Sequence, residues 1–196
     1  MKLLVIGSNG RTGRLVVDQA VARGHEVSAF ARRPGPLPAG AVGHQGDATR
    51  IDDLRPALAG QDAVVCAFGG SELVRALIPA MREAGVRRVA MTSSRSVVAT
   101  KPAWLISLVW LPFRAAYADL ARAEGLLEAS ELDWTIVRGA MLVDKPSAGR
   151  VHRDYEANAT GGDWALTRAD YAMSLLDAVE QPDQIHRAVG VGGAKH

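Results

Sequence analysis

A doubly wound α/β fold, with a parallel sheet and helices on both faces, is what this sequence predicts. Three observations carry it. Short, unbroken apolar runs alternate along the chain with segments of helical spacing, the pattern of strands buried on both faces. A glycine-rich turn, Gly7-Ser8-Asn9-Gly10-Arg11-Thr12-Gly13, joins the first apolar run to the first helical one. The length, 196 residues, suits one domain and is enough to bury a core without disulfides or metals. The expected organisation is one domain over residues 1–196, with an apolar lid or interface segment at about 96–113.

The elements follow in order. Lys2–Ile6 is a buried-strand run, and Thr12–Arg23 places Leu15, Val16, Ala20 and Val21 at helical spacing before Gly24 stops it. His25–Phe30 and Ala41–Gln45 read as strands, Asp52–Ala59 as a short helix closed by Gly60, and Ala63–Phe68 as a strand ended by Gly69-Gly70. Glu72–Ala84 is a helix, Arg88–Thr92 a strand, Arg114–Ser130 a long helix and Trp134–Val137 a strand. Arg168–Val179 is a helix capped by Thr167 with Asp170 at the third position, close to a capping box. Ala188–Val191 closes the sheet.

Composition excludes several classes. Lys+Arg 23 against Asp+Glu 21 leaves a net charge of +2, with the arginines scattered, so no nucleic-acid partner is expected. The lone Cys66 cannot form an internal disulfide, which fits a cytoplasmic setting. Leu3-Leu4-Val5-Ile6 is too short for a signal core, and Ala103–Leu111 falls far short of the ~20 residues that span a bilayer, so neither a targeting segment nor a membrane span is expected. The histidines show no metal-ligand spacing, and no metal is expected. The acids form no glycosidase-type pair, and neither Ser93 nor Ser94 sits in Gly-x-Ser-x-Gly.

The glycine turn has a physical reading. Gly7 permits the tight turn, Gly10 removes a Cβ where a pyrophosphate would touch the backbone, and Gly13 lets the helix pack on the strand. Asn9, Arg11 and Thr12 belong to the same loop, whose helix-start amides suit an anion. The second strand ends Phe30-Ala31-Arg32-Arg33, where enzymes that use NAD place an acid. Arg32 and Arg33 instead match a 2′-phosphate, which points to NADP(H). Asp47 after the third strand has two readings, an adenine neighbour or a turn aspartate. Ala67, Phe68 and Gly69 after the fourth either flank the cofactor or form a plain helix-entry turn.

At these residues the chain resembles the atypical short-chain dehydrogenase/reductases. This is the NAD(P)H-binding branch that includes flavin reductase/biliverdin-IXβ reductase and the NmrA-like proteins. The resemblance covers nearly the whole chain, through Lys2–Gly13, Ala31-Arg32-Arg33, Gly46-Asp47, Gly60–Val65, Gly85–Val89 with Thr92-Ser93, Glu128–Arg138 and Thr167–Asp170. It implies a Rossmann-like sheet, NADP(H), and hydride transfer to a planar conjugated acceptor: a flavin, a quinone or a bilin. It also implies that Ser93 sits beside the nicotinamide, where its hydroxyl orients carboxamide or acceptor.

Departures narrow this. The alcohol-type members use Tyr-x-x-x-Lys; the one similar start is Tyr117, and Ala121 stands four residues on. Met141 stands where the bilin reductases of the family carry a His. Flavins and quinones remain open as acceptors, since their anionic products take a proton from water. Ser94, Trp104, Trp110, Phe113 and Met141 are the candidate acceptor pocket. The crowded segment Ser96–Phe113 reads equally as pocket wall or as homodimer surface, so the chain is expected to be a monomer or homodimer with a small-molecule acceptor. The alternative is a non-catalytic NADP(H)-binding regulator of NmrA-like type.

Overall fold

The computed structural model describes residues 1–98, 103–155 and 161–194, without the side chains of 103–112. In chain order the elements are β1 (Lys2–Ile6), α1 (Arg11–Ala22), β2 (Glu26–Ala31), β3 (Ala41–Gln45), α2 (Ile51–Leu58), β4 (Ala63–Cys66), α3 (Ser71–Ala84) and β5 (Arg88–Ser94). They continue as α4 (Ala103–Glu128), β6 (Asp133–Gly139), β7 (Met141–Val143), β8 (Val151–Asp154), β9 (Ala165–Thr167), α5 (Arg168–Glu180) and β10 (Arg187–Gly193).

Eight strands form one sheet in the order β3-β2-β1-β4-β5-β6-β10-β8. Every pairing is parallel except the last, where β8 runs antiparallel to β10. β1 and β4 are the continuous apolar runs read from the sequence, and residues Leu3 to Ile6 and Ala63 to Cys66 are fully buried. Their neighbours cover both faces. Leu4, Ile6, Val64 and Met91 pack with α2, α3 and α4, whereas Leu3, Val5, Val65 and Ala90 pack with α1 and α5. This is the Rossmann-like doubly wound sheet expected. Strand order reverses between β1 and β4, which places a crevice outside their carboxyl ends.

Four local expectations need correction. The long helix starts at Ala103, not Arg114, and runs through Pro112. Pro112 lacks one N–H donor, but a helix of 26 residues has turns on both sides to keep its course. α2 and α3 likewise contain Pro56 and Pro79. The segment 96–113 is therefore a short 3-10 turn at Arg95–Val97 followed, beyond 99–102, by the first turns of α4. Strands β7, β8 and β9 were not anticipated; they are only three or four residues long, too short to stand out as runs in the sequence. The α5 cap also differs in detail. Thr167 accepts from the Asp170 amide, but Asp170 takes the Thr167 hydroxyl (2.7 Å) rather than the cap amide of a capping box. Its carboxylate also takes the Ala148 and Gly149 amides (2.9 and 3.1 Å) and the Ser147 hydroxyl. One aspartate thus fastens the β7–β8 connection to the start of α5.

Candidate functional site

The crevice at the strand-order reversal is a cleft of about 1120 Å³. Ile6, Phe30, Ala48 and Ala67 line it from the carboxyl ends of the strands, and Gly7, Asn9, Gly10, Arg11 and Thr12 line it from the first turn.

That turn is shaped by its glycines. Gly7 sits at φ +82, a left-handed conformation, so that its amide and that of Ser8 both donate to the Phe30 carbonyl at the end of β2 (2.9 and 3.1 Å). A Cβ on Gly13 would lie 2.0 Å from the Gly7 carbonyl oxygen, so Gly13 is required by the turn's own backbone rather than by packing on the strand. A Cβ on Gly10 would meet only that same oxygen, at 3.2 Å, a tight contact that the turn must relax slightly to admit. α1 begins at Gly10 with no side-chain cap and no acid in its first turn. Its first amides therefore keep their donors and its positive end for an anion. Asn9 lines the cleft and also braces the turn. Its amide donates to the Arg33 carbonyl (2.8 Å) and its oxygen accepts from Arg14 (2.5 and 3.0 Å), which ties the turn to the loop after β2.

Arg32 and Arg33 follow β2, line the cleft and are exposed; their guanidinium groups make no hydrogen bond among the described residues. Asp47 lines the same wall and is also a turn aspartate. Its Oδ1 takes the amide and hydroxyl of Thr49 (3.0 and 2.8 Å), and these bonds hold its carboxyl below the usual range, with Arg32 and Arg50 adding to the effect. Ala67 and Phe68 line the opposite wall. Gly69 is pressed elsewhere: a Cβ there would lie 2.5 Å from the Thr92 carbonyl, so it serves the contact of β4's end with β5.

The expected acceptor residues differ in burial and partners. Ser93 is buried (5% exposed) and its hydroxyl donates to Glu124 of α4. Glu124 is in turn held by both arms of Arg138 on β6, at 3.1 and 2.7 Å. Ser94 accepts from the Ser96 amide (3.2 Å) and caps the 3-10 turn. Tyr117 stands on α4 with its ring 6.2 Å from that of Phe113; Ala121 lies beyond it, and Arg122 pairs with Asp119. Phe113 and Met141 are 55% and 53% exposed, so neither is enclosed by a pocket wall. The side chains of Trp104 and Trp110 lie outside the described residues. Arg95 is 2% exposed. Cys66 is fully buried, which pushes its thiol up to about 12 and removes it as a nucleophile.

Two groups escaped sequence reasoning. Tyr171 of α5 is fully buried; its hydroxyl donates to the carbonyl of Val137 (2.7 Å) and lies 3.3 Å from that of Ser93, pinning the ends of β5 and β6. Gly139 exists for it, since a Cβ there would strike the Tyr171 ring at 2.8 Å. Arg168, at the start of α5, reaches the cleft beside Thr12. Only the Thr167-Arg168 cap signal marked its neighbourhood, and nothing local signals a partner in the first turn of the chain.

Comparison with known proteins agrees with this arrangement. Uncharacterized protein YwnB of Bacillus subtilis is 28% identical over 93% of this chain and 94% of its own. A short-chain dehydrogenase/reductase from Veillonella parvula, solved in complex with NADP, superposes with a TM-score of 0.86 at 17% identity, covering 97% of this chain and 94% of that one. ChuY, an anaerobillin reductase from Escherichia coli O157:H7, superposes with a TM-score of 0.83 at 20% identity over 100% and 98%. The NAD(P)H-binding family model matches residues 7–182, from the first glycine of the turn to beyond α5, and the chain belongs to that NAD(P)H-binding family.

Proposed function

We propose that this protein is an NADPH-dependent reductase that passes hydride to a planar conjugated acceptor, a flavin or a quinone. One observation carries the cofactor choice: the residues that directly follow β2 on the cleft wall are Arg32 and Arg33, whose guanidinium groups make no hydrogen bond among the described residues, and no acid ends that strand. Gly10, Arg11 and Thr12 take the pyrophosphate, Arg32 and Arg33 the 2′-phosphate, and Asp47, Ala67 and Phe68 flank the adenine half and the approach to the nicotinamide. The cleft fits such a ligand on its own terms, since α1 begins uncapped and Gly10 leaves the amide edge bare. When bound, a reduced nicotinamide supplies the hydride. The chain's residues bind and orient it, and the acceptor is one whose anionic product needs no protein acid. The side chains argue for that class: Tyr117 has no lysine one turn on, and the Ser93 proton is held by Glu124. A cytoplasmic setting accords with the single buried thiol of Cys66.

The inward turn of Ser93 also favours a second reading, an NADP(H)-binding regulator without turnover. Steady-state NADPH oxidation separates the two. The reductase reading expects turnover with FMN or a quinone and none with aliphatic ketones. Tight NADPH binding without turnover of flavins, quinones or bilins selects the regulator, and ketone turnover that is lost in Tyr117→Phe overturns the mechanism.

A further inference from the structure

Beside the phosphate turn, two cations meet one carboxylate. Asp144, just past β7, pairs with Arg11 of α1 through one oxygen. Through the other it accepts from Arg168 Nε at 2.8 Å. The Arg168 side chain is 14% exposed, with Nη1 3.4 Å from the Thr12 hydroxyl, and Arg11, Thr12 and Arg168 all line the cleft. A guanidinium this enclosed beside uncapped amides is placed for an anion larger than one carboxylate, because its planar fork suits phosphate oxygens. Asp144 itself is half exposed and sits on a connection whose far end, Ser147 to Gly149, is fastened by Asp170. The strap is anchored at one end and carries its carboxylate at the other.

We infer that Arg168 is a second cationic ligand of the dinucleotide's pyrophosphate, and that Asp144 is an internal anion which occupies Arg11 and Arg168 until the pyrophosphate displaces it. The inference rests on the cofactor assignment above and adds to it the opposite wall of the cleft. Asp144 then lowers affinity for any pyrophosphate ligand, while Arg168 raises it, and neither acts on the 2′-phosphate.

Adenosine diphosphate ribose and 2′-adenosine monophosphate separate the two subsites, because only the first carries a pyrophosphate and only the second a 2′-phosphate. Binding is measured by calorimetry on the full chain, with melting curves to confirm that each variant is folded. Arg168→Gln should weaken adenosine diphosphate ribose and NADPH alike by roughly 10-fold or more, the scale of a lost charge-assisted bond, and leave 2′-adenosine monophosphate unchanged. Asp144→Asn, at a half-exposed position, should tighten adenosine diphosphate ribose by about 2- to 5-fold, the scale of an exposed ion pair removed from competition. Wild-type affinity in Arg168→Gln overturns the ligand role. Unchanged or weaker binding in Asp144→Asn overturns the competition and makes Asp144 a support for Arg168. Wild-type protein that binds neither NADPH nor adenosine diphosphate ribose overturns the cofactor assignment itself, and this inference with it.

Discussion

The two halves of the sheet's carboxyl edge treat their polar groups in opposite ways. Around β1 and β2, donors are left without protein partners: the first amides of α1 have no cap, and Arg32 and Arg33 have none among the described residues. Around β5 and β6 most are paired within the chain: Ser93 on Glu124, Glu124 on Arg138, Tyr171 on the Val137 carbonyl, with Thr92 Oγ1 and Arg95 Nε the buried exceptions among the described residues. Buried polar groups are costly without partners, so a folded chain leaves donors open only where water or a ligand completes them. On the proposed reading the first half receives the anion, and the second is a frame that holds the strand ends. The contrast predicts that substitutions in the second half act on stability and those in the first act on ligands.

The largest effect should fall on the frame. Glu124→Gln leaves the buried Arg138 uncompensated, at a cost of about 3–5 kcal/mol, which for a domain of this size lowers Tm by roughly 6–20 °C. Replacing both partners with apolar residues of similar volume should recover most of that loss, as read by calorimetric melting. A small shift in Glu124→Gln would mean that the frame is not rigid and would dissolve the contrast.

Gly10→Val should do the reverse. Its Cβ would meet only the Gly7 carbonyl oxygen, at 3.2 Å, so the turn relaxes slightly and Tm without ligand should fall by less than in the frame variant. Wild-type protein with NADPH at 100 times its Kd gains about 2.7 kcal/mol, or roughly 5–10 °C, and the variant should show none of that gain. A full NADPH shift in Gly10→Val would place the ligand elsewhere.

Cofactor choice is the next effect in size. Charge-assisted bonds of about 1.5–3 kcal/mol imply NADPH over NADH by roughly 10- to 150-fold. Joint replacement of Arg32 and Arg33 by Gln should bring the two affinities together in a fluorescence titration. Equal affinities in the wild type would refute the assignment of both arginines.

The smallest effect tests the strap. Burial works to raise the Asp170 carboxyl, but the hydrogen bonds from Ser147, the Ala148 and Gly149 amides and Thr167 outweigh it and hold the group below its ordinary range. A carboxyl depressed in the folded state stabilises the protein above the unfolded pKa of about 3.9, and that contribution fades as pH falls through the depressed value. Asp170→Asn should therefore melt lower than wild type at neutral pH, by the roughly 0.5–2 kcal/mol typical of a lost cap, and the gap should close in acid. A gap that widens in acid would reverse the sign argued here.

How much of this was legible in the sequence follows the same division. β1 and β3 were read to the residue, and the phosphate turn was readable because its signals are local: glycines at fixed spacing between an apolar run and a helix. The frame was not, because its members lie far apart in the chain. Ser93 finds its partner on α4, and Tyr171 reaches back to β5 and β6 from α5. A serine at a strand end looks the same in sequence whether its hydroxyl faces a ligand or a buried carboxylate. Arg168 escaped for the same reason, since its neighbour Thr12 lies 156 residues away.

The single cysteine of the chain has a use that follows from where it sits. Cys66 is fully buried beside Ile6 and Met91, at the point where strand order reverses. A thiol reagent can reach it only when the centre of the sheet opens, and then it reports that event alone, with no other sulfhydryl to confuse the signal. The wild-type molecule thus carries a native clock for sheet opening, and a dinucleotide bridging β1 and β4 would slow that clock.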